Sequence, residues 1–190
     1  KPFINLLPLV QGETITAIMK LPENEADCEN LSIAFATAKG NIRRNSLMDF
    51  VNVQSNGKIA MKLDEGDKLI NVALCDDSND IMLAAKSGKC IRFAVEDLRV
   101  FVGRNSTGVR GIKLQGDDEV ISMSILKHCT ASVEERDEYL RVSSAMKRME
   151  AESGGDACIS PDQTGLLNLL DMAKFEEMRK AEEFILTVTV

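Results

Sequence analysis

Few residues of this 190-residue chain have the types and spacing that catalysis or metal binding requires. The single histidine, His128, has no obvious serine or cysteine nucleophile as a partner. It forms the only adjacent His/Cys pair with Cys129, whereas a structural zinc site takes four ligands in a recognisable spacing. The sequence therefore predicts no catalytic residues and no metal site.

Spacing also argues against a nucleotide-binding loop. Ser87-Gly88-Lys89-Cys90 superficially resembles a phosphate loop, but the first glycine of that motif would fall at Leu83 and its serine or threonine at Cys90. The lone tyrosine, Tyr139, lies in an amphipathic segment and is interpreted as a core residue. The carboxylates occur in runs at turn-like stretches, where solvation explains them. We expect no intrinsic enzymatic activity and no cofactor in this chain.

The chemistry that the sequence favours is the binding of a polyanion by regularly spaced cations. Basic residues cluster around one predicted hairpin and recur around the next. A stripe of cations along the rim of a cyclic array can follow a duplex and neutralise its phosphates without contacting bases. The alternative is that basic side chains at hairpin edges discourage edge-to-edge pairing, and the periodicity alone leaves both interpretations open. The candidate DNA-binding residues are Lys39, Arg43, Arg44, Lys58, Lys86, Lys89, Arg92, Arg104, Arg110 and Lys113.

These cations recur because the chain itself repeats. Residues 63–114 form one complete copy, which opens with a Leu-x-x-Gly-x-x-Leu spacing. Similar spacings begin at Leu9 and Leu114, so the period is 54 residues and then 51. Within the unit, Gly40–Arg44 overlays Gly88–Arg92. Periods of about 50 residues with strand-like contents indicate propellers or related arrays, because one such unit cannot bury its apolar face alone.

The contents of each repeat are strands and turns. Leu31, Ile33 and Phe35 alternate with small residues, which is the period-two pattern of a half-buried strand, and a hairpin turn follows at Gly40. The second copy has the same order, so each unit is predicted to supply about four short strands, as one propeller blade does. We therefore predict an all-β fold with repeats near residues 9–63, 63–114 and 114–190. Other predicted strands include Thr14–Lys20, Lys58–Leu63 and Val109–Leu114.

A helical segment interrupts the third copy. Ser132 and Glu135 have the spacing of a capping box, and apolar residues at three- and four-residue steps predict a helix over residues 133–151. Asp171 is positioned to cap a second helix over Met172–Glu182, after which Phe184–Val190 resumes a strand pattern. We predict blades at residues 1–126 and 183–190, with a helical insertion at residues 127–182.

Charge and cysteine usage narrow the functional classes. The net charge is −7, and residues 127–183 hold 8 basic and 13 acidic side chains against 15 and 17 elsewhere. The acidic balance argues against a nucleic-acid partner at first sight, but much of it lies in the helical segment. No apolar run approaches the roughly 20 residues of a membrane helix. The odd number of cysteines, 5, without a C-x-x-C pair, favours reduced thiols in the cytosol.

Several segments together resemble one family. Gly103–Leu114, GRNSTGVRGIKL, is similar to the recurring G-R-N-x-x-G-V-R-G-I-[KR]-L segment of the C-terminal domain of bacterial DNA gyrase A. Lys1–Leu9, Leu63–Asp67 and Asp80–Leu83 are also similar to that family. The resemblance covers Lys1–Leu126 and Phe184–Val190. The gyrase-specific box Q-R-R-G-G-K-G is a departure, because the comparable loop Val53–Lys58 keeps the glycine and lysine but lacks the arginine pair.

The resemblance implies a partial β-pinwheel, a disc of propeller-like blades that exchange strands with their neighbours. In the family, duplex DNA wraps around the basic outer edge of this disc, and the cytoplasmic A2B2 holoenzyme uses ATP and Mg to introduce negative supercoils. The chain is expected to be a non-catalytic piece of about two and a half blades, with the rest of gyrase A, gyrase B and duplex DNA as partners and no membrane contact. Alternatives are the corresponding C-terminal domain of topoisomerase IV and a propeller-type protein-interaction module that uses the helical insertion.

Overall fold

The computed structural model describes residues 9, 11–52, 57–103, 105–153 and 168–188. The chain divides into two compact units, Lys1–His128 and Cys129–Val190. The described residues form seven β-strands and two α-helices, with the strands in the first unit and the helices in the second. The segment Lys1–Pro8 and residues 53–56, 104 and 154–167 lie outside the described residues.

The first sheet combines strands from two successive repeats. Its order is β3 (Leu69–Cys75), β1 (Ser32–Thr37), β2 (Asn41–Ser46) and β6 (Val109–Arg110). All neighbouring strands are antiparallel. The hairpin β1–β2 belongs to the first repeat, whereas both flanking strands come from the second. A single repeat therefore does not supply all the strands of one sheet, and strands are exchanged between repeats as the family resemblance implies.

The second sheet has the same plan one repeat later. Its order is β5 (Cys90–Ala94), β4 (Asn79–Ala85) and β7 (Val120–Lys127), again antiparallel. The register of the hairpin against the next repeat shifts between Ala36 and Thr37 in the first sheet and between Ala84 and Ala85 in the second. The two register shifts are 48 residues apart, as are Gly40 and Gly88. The sequence repeat therefore includes the point at which the strand pairing becomes irregular.

Three predicted strands differ in the structure. Thr14–Lys20 and Lys58–Leu63 have no strand, and the strand predicted over Val109–Leu114 is only the two-residue β6. The equivalents of the first two, β3 and β6, pair with the hairpin of the preceding repeat. The described residues before Leu31 contain no hairpin with which those segments could pair, which explains their irregular backbone.

The core between the sheets depends on an alternation of small and large side chains. Ala34 and Ala36 of β1 present a flat face, and Ile81 and Leu83 of β4 belong to the same buried cluster. All four side chains are fully buried. Small residues on one sheet allow large aliphatic residues of the next to approach closely, which gives native packing density without strain. The opposite face of β1 is buried in a second cluster of Cys28, Ile33, Phe35 and Leu47.

Acidic residues hold the hairpin turns. The Lys39 amide donates to Asp67 Oδ1 at 2.9 Å, and the Ser87 amide donates to Asp118 Oδ1 at 2.9 Å at the equivalent turn. Hydrogen bonding from the Ser87 side chain is the largest cause lowering the pKa of Asp118. The interpretation of these turn carboxylates as merely solvated is therefore wrong for Asp67 and Asp118, since each joins the turn of one repeat to the opening of the next.

The second unit contains α1 (Val133–Ser153) and α2 (Met172–Lys180). The capping box is confirmed, because the Glu135 amide donates to Ser132 Oγ at 3.1 Å and the Ser132 amide donates to Glu135 Oε2 at 2.6 Å. Tyr139 lies in the core as predicted, with its ring centroid 5.0 Å from that of Phe175. Residues 184–188 have no strand, and membership of Phe184–Val190 in a sheet stays a prediction.

Replacing Gly108 tests the close approach of the second repeat to β2. Gly108 has φ of +89°, and an added Cβ would lie 2.3 Å from the Ile42 carbonyl oxygen. Gly88 has φ of +86° with no atom within 4 Å of an added Cβ. Both alanine variants adopt a left-handed conformation at a cost of about 1–2 kcal/mol, but only Gly108→Ala must also displace backbone. We expect urea unfolding to show a clearly larger loss for Gly108→Ala, and equal losses would contradict this packing.

Acidification tests the helical unit. The buried Glu138 carboxylate accepts hydrogen bonds from the backbone amides of Asn168, Leu169 and Leu170. These bonds lower the pKa of Glu138, and the bond from Asn168 is the largest cause. Because the folded pKa is depressed, the stabilisation is present at neutral pH and is lost as pH falls through the folded pKa. We expect Glu138→Gln to lower the Tm at pH 7 and to weaken the decline of Tm between pH 7 and 3.

The matched control is Glu177→Gln on α2, which changes a side chain that is 64% exposed. It should leave the Tm and its pH dependence close to those of the parent chain. A Glu138→Gln curve that follows the parent at every pH would show that the carboxylate does not stabilise the segment before α2.

Candidate nucleic-acid interface

The outer edge of the first sheet is covered by a segment of the second repeat. The Phe101 amide donates to the Arg44 carbonyl at 2.8 Å, and Val100 forms a parallel bridge with Arg44. Further along, Val109 pairs with Ile42. Residues 100–103 and 105–110 therefore line the outer side of β2. We call these residues the outer-edge segment.

Arg43 holds the outer-edge segment from beneath. Its guanidinium donates to the carbonyls of Gly103 and Ser106 and to Asn45 Oδ1, the last at 2.7 Å. Asn45 in turn donates to the Phe101 carbonyl at 2.8 Å. Burial lowers the pKa of Arg43, and the charge of Asp49 opposes that shift. The three nitrogens of one guanidinium thus join two loop carbonyls of the second repeat to Asn45 of β2.

Arg44 makes a second buried connection between the repeats. It donates from Nε to Ser32 Oγ at 3.0 Å and from Nη1 to the Val95 carbonyl at 3.0 Å, and it forms an ion pair with Asp77. Arg43 is 1% exposed and Arg44 is 6% exposed. The expectation that both contact DNA phosphates therefore needs correction, because neither can reach a duplex in this conformation. Contacts with the second repeat thus bury two cations that were predicted to lie on the surface.

Arg92 occupies the position of Arg44 in the next repeat but is half exposed. Its Nε donates to Asp80 Oδ2 at 2.7 Å and its Nη2 to the Lys127 carbonyl at 2.9 Å, while its side chain is 44% exposed. Asp80 Oδ1 also lies 2.7 Å from His128 Nδ1. The histidine considered as a catalytic candidate therefore contacts a carboxylate that already binds an arginine.

A second group of cations lies at the hairpin turns. Lys39, Lys86 and Lys89 are exposed. Lys39 Nζ donates to the Glu65 carbonyl, and Lys89 Nζ lies 3.2 Å from Gln115 Oε1. The acceptors in these two contacts are uncharged, and the charge of Lys89 also acts on the Asp118 carboxylate.

A third group lies on or beside the outer-edge segment. Arg110 on β6 and the following Lys113 are exposed. Lys62 is brought to this edge because its amide donates to the Ser106 carbonyl at 3.3 Å. The exposed Lys58 donates to the Asp49 carbonyl at 2.6 Å, and Arg104 lies outside the described residues. The predicted cations thus divide among the interior, the hairpin turns and the outer edge.

Sequence reasoning missed Arg99. This exposed residue places its guanidinium carbon 4.2 Å from the centroid of the Phe101 ring. The signal available in the sequence was the Arg-x-Phe spacing, because residues two apart in extended chain share a face. The repeat could not reveal Arg99, because the residue 48 positions earlier is Val51 and carries no charge.

Among the described residues, no group of three or more His, Cys, Asp or Glu side chains could hold a metal ion. Neither described helix has the length and apolar character needed to cross a membrane. Burial raises the pKa of the Cys75 thiol to about 11, so this cysteine is protonated at neutral pH and a poor nucleophile.

Comparisons with known proteins converge on one family. A family model described as the DNA gyrase C-terminal domain, β-propeller, matches residues 32–76 and 79–127. DNA gyrase A of Rickettsia bellii is 53% identical over 189 residues, covering 100% of this chain and 20% of the relative. DNA gyrase A of Salmonella typhimurium is 44% identical over 125 residues, covering 66% of this chain and 14% of the relative. The chain spans about a fifth of the length of the curated relatives that match all of it.

Solved structures show the same fold. A structure of the DNA gyrase A C-terminal domain aligns with a TM-score of 0.57 and 24% identity, covering 67% of this chain and 41% of that chain. The C-terminal domain of DNA topoisomerase IV aligns with a TM-score of 0.60 and 21% identity, covering 67% and 39%. With the sheets described above, these findings confirm the predicted partial propeller fold, which is mostly β with two helices, while the place of the helices as an insertion within a blade stays a prediction.

Arg44 and Arg92 offer a matched comparison of a buried and an exposed residue at one position of the repeat. Arg44→Ala leaves Asp77 and the carbonyls of Val95 and Leu98 without their donor. We expect it to cost about 1–3 kcal/mol of unfolding free energy, because the two carbonyls lose their donor while Asp77, whose side chain is 64% exposed, regains water. Arg92→Ala removes a donor from the buried Asp80 carboxylate, which keeps His128 as a partner, and should cost a similar amount. Urea unfolding measures both, and the absence of a loss for Arg44→Ala would contradict its assignment to the interior.

Proposed function

The chain belongs to the family of DNA gyrase A C-terminal domains, and on that premise we propose that its sheet unit binds and wraps duplex DNA for a type II topoisomerase. The observation that supports this most directly is the outer-edge segment. Arg110 is exposed on this segment, which the buried Arg43 binds at Gly103 and Ser106, and Lys113 is exposed just beyond it. A rigid edge with exposed cations binds the phosphate backbone without base contacts.

The proposed contacts are the predicted cations other than the buried Arg43 and Arg44. They neutralise phosphates and release counterions, so the affinity falls as salt concentration rises and does not depend on base sequence. Contacts along a curved edge offset the cost of bending the duplex, which is about 1–6 kcal/mol for 20–30 base pairs. The proposed contact residues are Lys39, Lys58, Lys86, Lys89, Arg92, Arg104, Arg110 and Lys113.

In the whole protein, the wrapped duplex would be presented to a breakage–reunion core so that an ATP-dependent holoenzyme introduces negative supercoils. ATP hydrolysis, Mg and strand cleavage are assigned to other parts of gyrase A and to gyrase B in a cytoplasmic A2B2 assembly. This chain's own role is then to bind and orient DNA, with no catalytic step. Its buried thiol Cys75 and its hydrogen-bonded His128 are assigned to the fold.

Gyrase is favoured over topoisomerase IV by sequence. Relatives that match the whole chain at about half identity, including those of Rickettsia bellii at 53% and Granulibacter bethesdensis at 50%, are DNA gyrase A proteins. The likeness to the topoisomerase IV domain is at 21% identity and concerns the fold. We therefore assign the chain to gyrase rather than to topoisomerase IV.

Duplex binding tests this proposal. We expect the full chain to bind fluorescent duplexes of unrelated sequence with similar affinity, because phosphate contacts carry no sequence information. The double variant Arg110→Ala/Lys113→Ala should reduce the slope of log affinity against log salt by about two, since each phosphate contact contributes about 0.9. Fluorescence anisotropy between 50 and 300 mM salt measures both quantities.

The control is Arg148→Ala/Lys180→Ala in the helical unit, which removes the same two types of charge from exposed positions. This variant should keep the slope of the parent chain. Affinity that ignores salt, strong preference for one sequence, or an equal effect of the two double variants would contradict the proposed function.

A further inference from the structure

We propose that Arg99 is a phosphate-contact residue of the outer edge and that Phe101 positions it. This inference rests on the proposed function, because it adds a residue to the same DNA-binding edge. Arg99 has no counterpart among the cations that the repeat predicted. Its assignment depends on geometry, beginning with the 4.2 Å distance between its guanidinium carbon and the centroid of the Phe101 ring.

The Phe101 ring contacts two guanidinium groups. The Arg43 carbon lies 5.0 Å from its centroid and the Arg99 carbon 4.2 Å. Arg43 is 1% exposed and Phe101 is 8% exposed, whereas Arg99 is exposed. Arg43 is committed to loop carbonyls, so only Arg99 offers its donors to solvent. Guanidinium planes stack on aromatic rings, and a stacked plane presents its fork of donors in a defined direction.

Phe101 itself is held on both sides of its backbone. Its amide donates to the Arg44 carbonyl at 2.8 Å, and its carbonyl accepts from Asn45 Nδ2 at 2.8 Å. The ring is therefore part of the first sheet's rigid edge although it belongs to the second repeat. A side chain that is already ordered loses less rotamer entropy on binding than a free one does.

The position of Arg99 suits a backbone contact. Val100, next to it, bridges to Arg44, and Val102 is fully exposed on the same segment. Gly103 then enters the loop whose carbonyls Arg43 and Asn45 hold. Arg99 therefore lies at the start of the edge that ends at the proposed contacts Arg110 and Lys113. An arginine fork matches two oxygens of one phosphate, and this geometry reads no base.

The first measurement compares Arg99→Ala with Arg148→Ala in the full chain, by anisotropy with duplexes of unrelated sequence. We expect Arg99→Ala to reduce the salt slope by about 0.9 and the affinity by about eightfold at 0.1 M salt. Arg148→Ala makes the same change of charge at an exposed position of α1 and should leave both unchanged. Equal effects of the two variants would overturn the assignment of Arg99 while leaving the proposed function intact.

The second measurement tests Phe101 as a positioning residue. Phe101→Tyr keeps the ring and should keep the affinity, whereas Phe101→Leu keeps an apolar side chain without a π face and should weaken binding. The double variant Arg99→Ala/Phe101→Leu should bind no more weakly than Arg99→Ala, because both changes remove one interaction. Independent, additive losses would assign Phe101 to the core alone and overturn its positioning role.

Circular dichroism will show whether Phe101→Leu folds. If it does not fold, the Arg99→Ala measurement still tests the assignment of Arg99. Absence of salt-dependent duplex binding by the parent chain would overturn the proposed function and this inference together. Normal binding by the parent with an unchanged Arg99→Ala slope would overturn the inference only.

Discussion

The fold depends on one constraint, which is that a buried guanidinium must have all its donors satisfied. Arg43 and Arg44 lie on β2 of the first repeat, and their acceptors lie mainly in loops of the second. Each arginine therefore stabilises the fold only when two repeats are in register. The same constraint fixes the position of the outer-edge segment, because the carbonyls that Arg43 binds belong to that segment. A polar network in the interior thus determines the shape of the surface proposed to meet DNA.

Repetition made much of this fold predictable. The 48-residue offset from Gly40 to Gly88 placed both hairpins correctly, and alternation in residues 31–35 placed β1. The capping box at Ser132 placed the start of α1, since its two hydrogen bonds are local. Strand exchange was implied by the family resemblance and not by the spacing. Thr14–Lys20 and Lys58–Leu63 were predicted as strands because local pattern does not reveal whether a pairing partner is present.

The cations were harder to assign because burial depends on long-range contacts. Arg43 and Arg44 have the same local sequence signals as exposed hairpin residues, and their partners in the second repeat lie 33 to 63 residues later in the chain. Arg99 is missed for the opposite reason, since its orientation comes from a ring two residues away and not from the repeat. The turn acids Asp67 and Asp118 likewise belong to inter-repeat hydrogen bonds that composition cannot distinguish from solvation.

The sharing of strands between repeats has a consequence for how the chain is made. The first sheet needs β6, so it cannot be completed until residue 110 has left the ribosome, although its hairpin is finished at residue 46. Until then the outer backbone groups of β2 and the guanidinium of Arg43 remain hydrated or bind other chains. We infer that nascent chains pass through an interval in which the half-built sheet is open to mispairing, and that slow, non-local closure ends it.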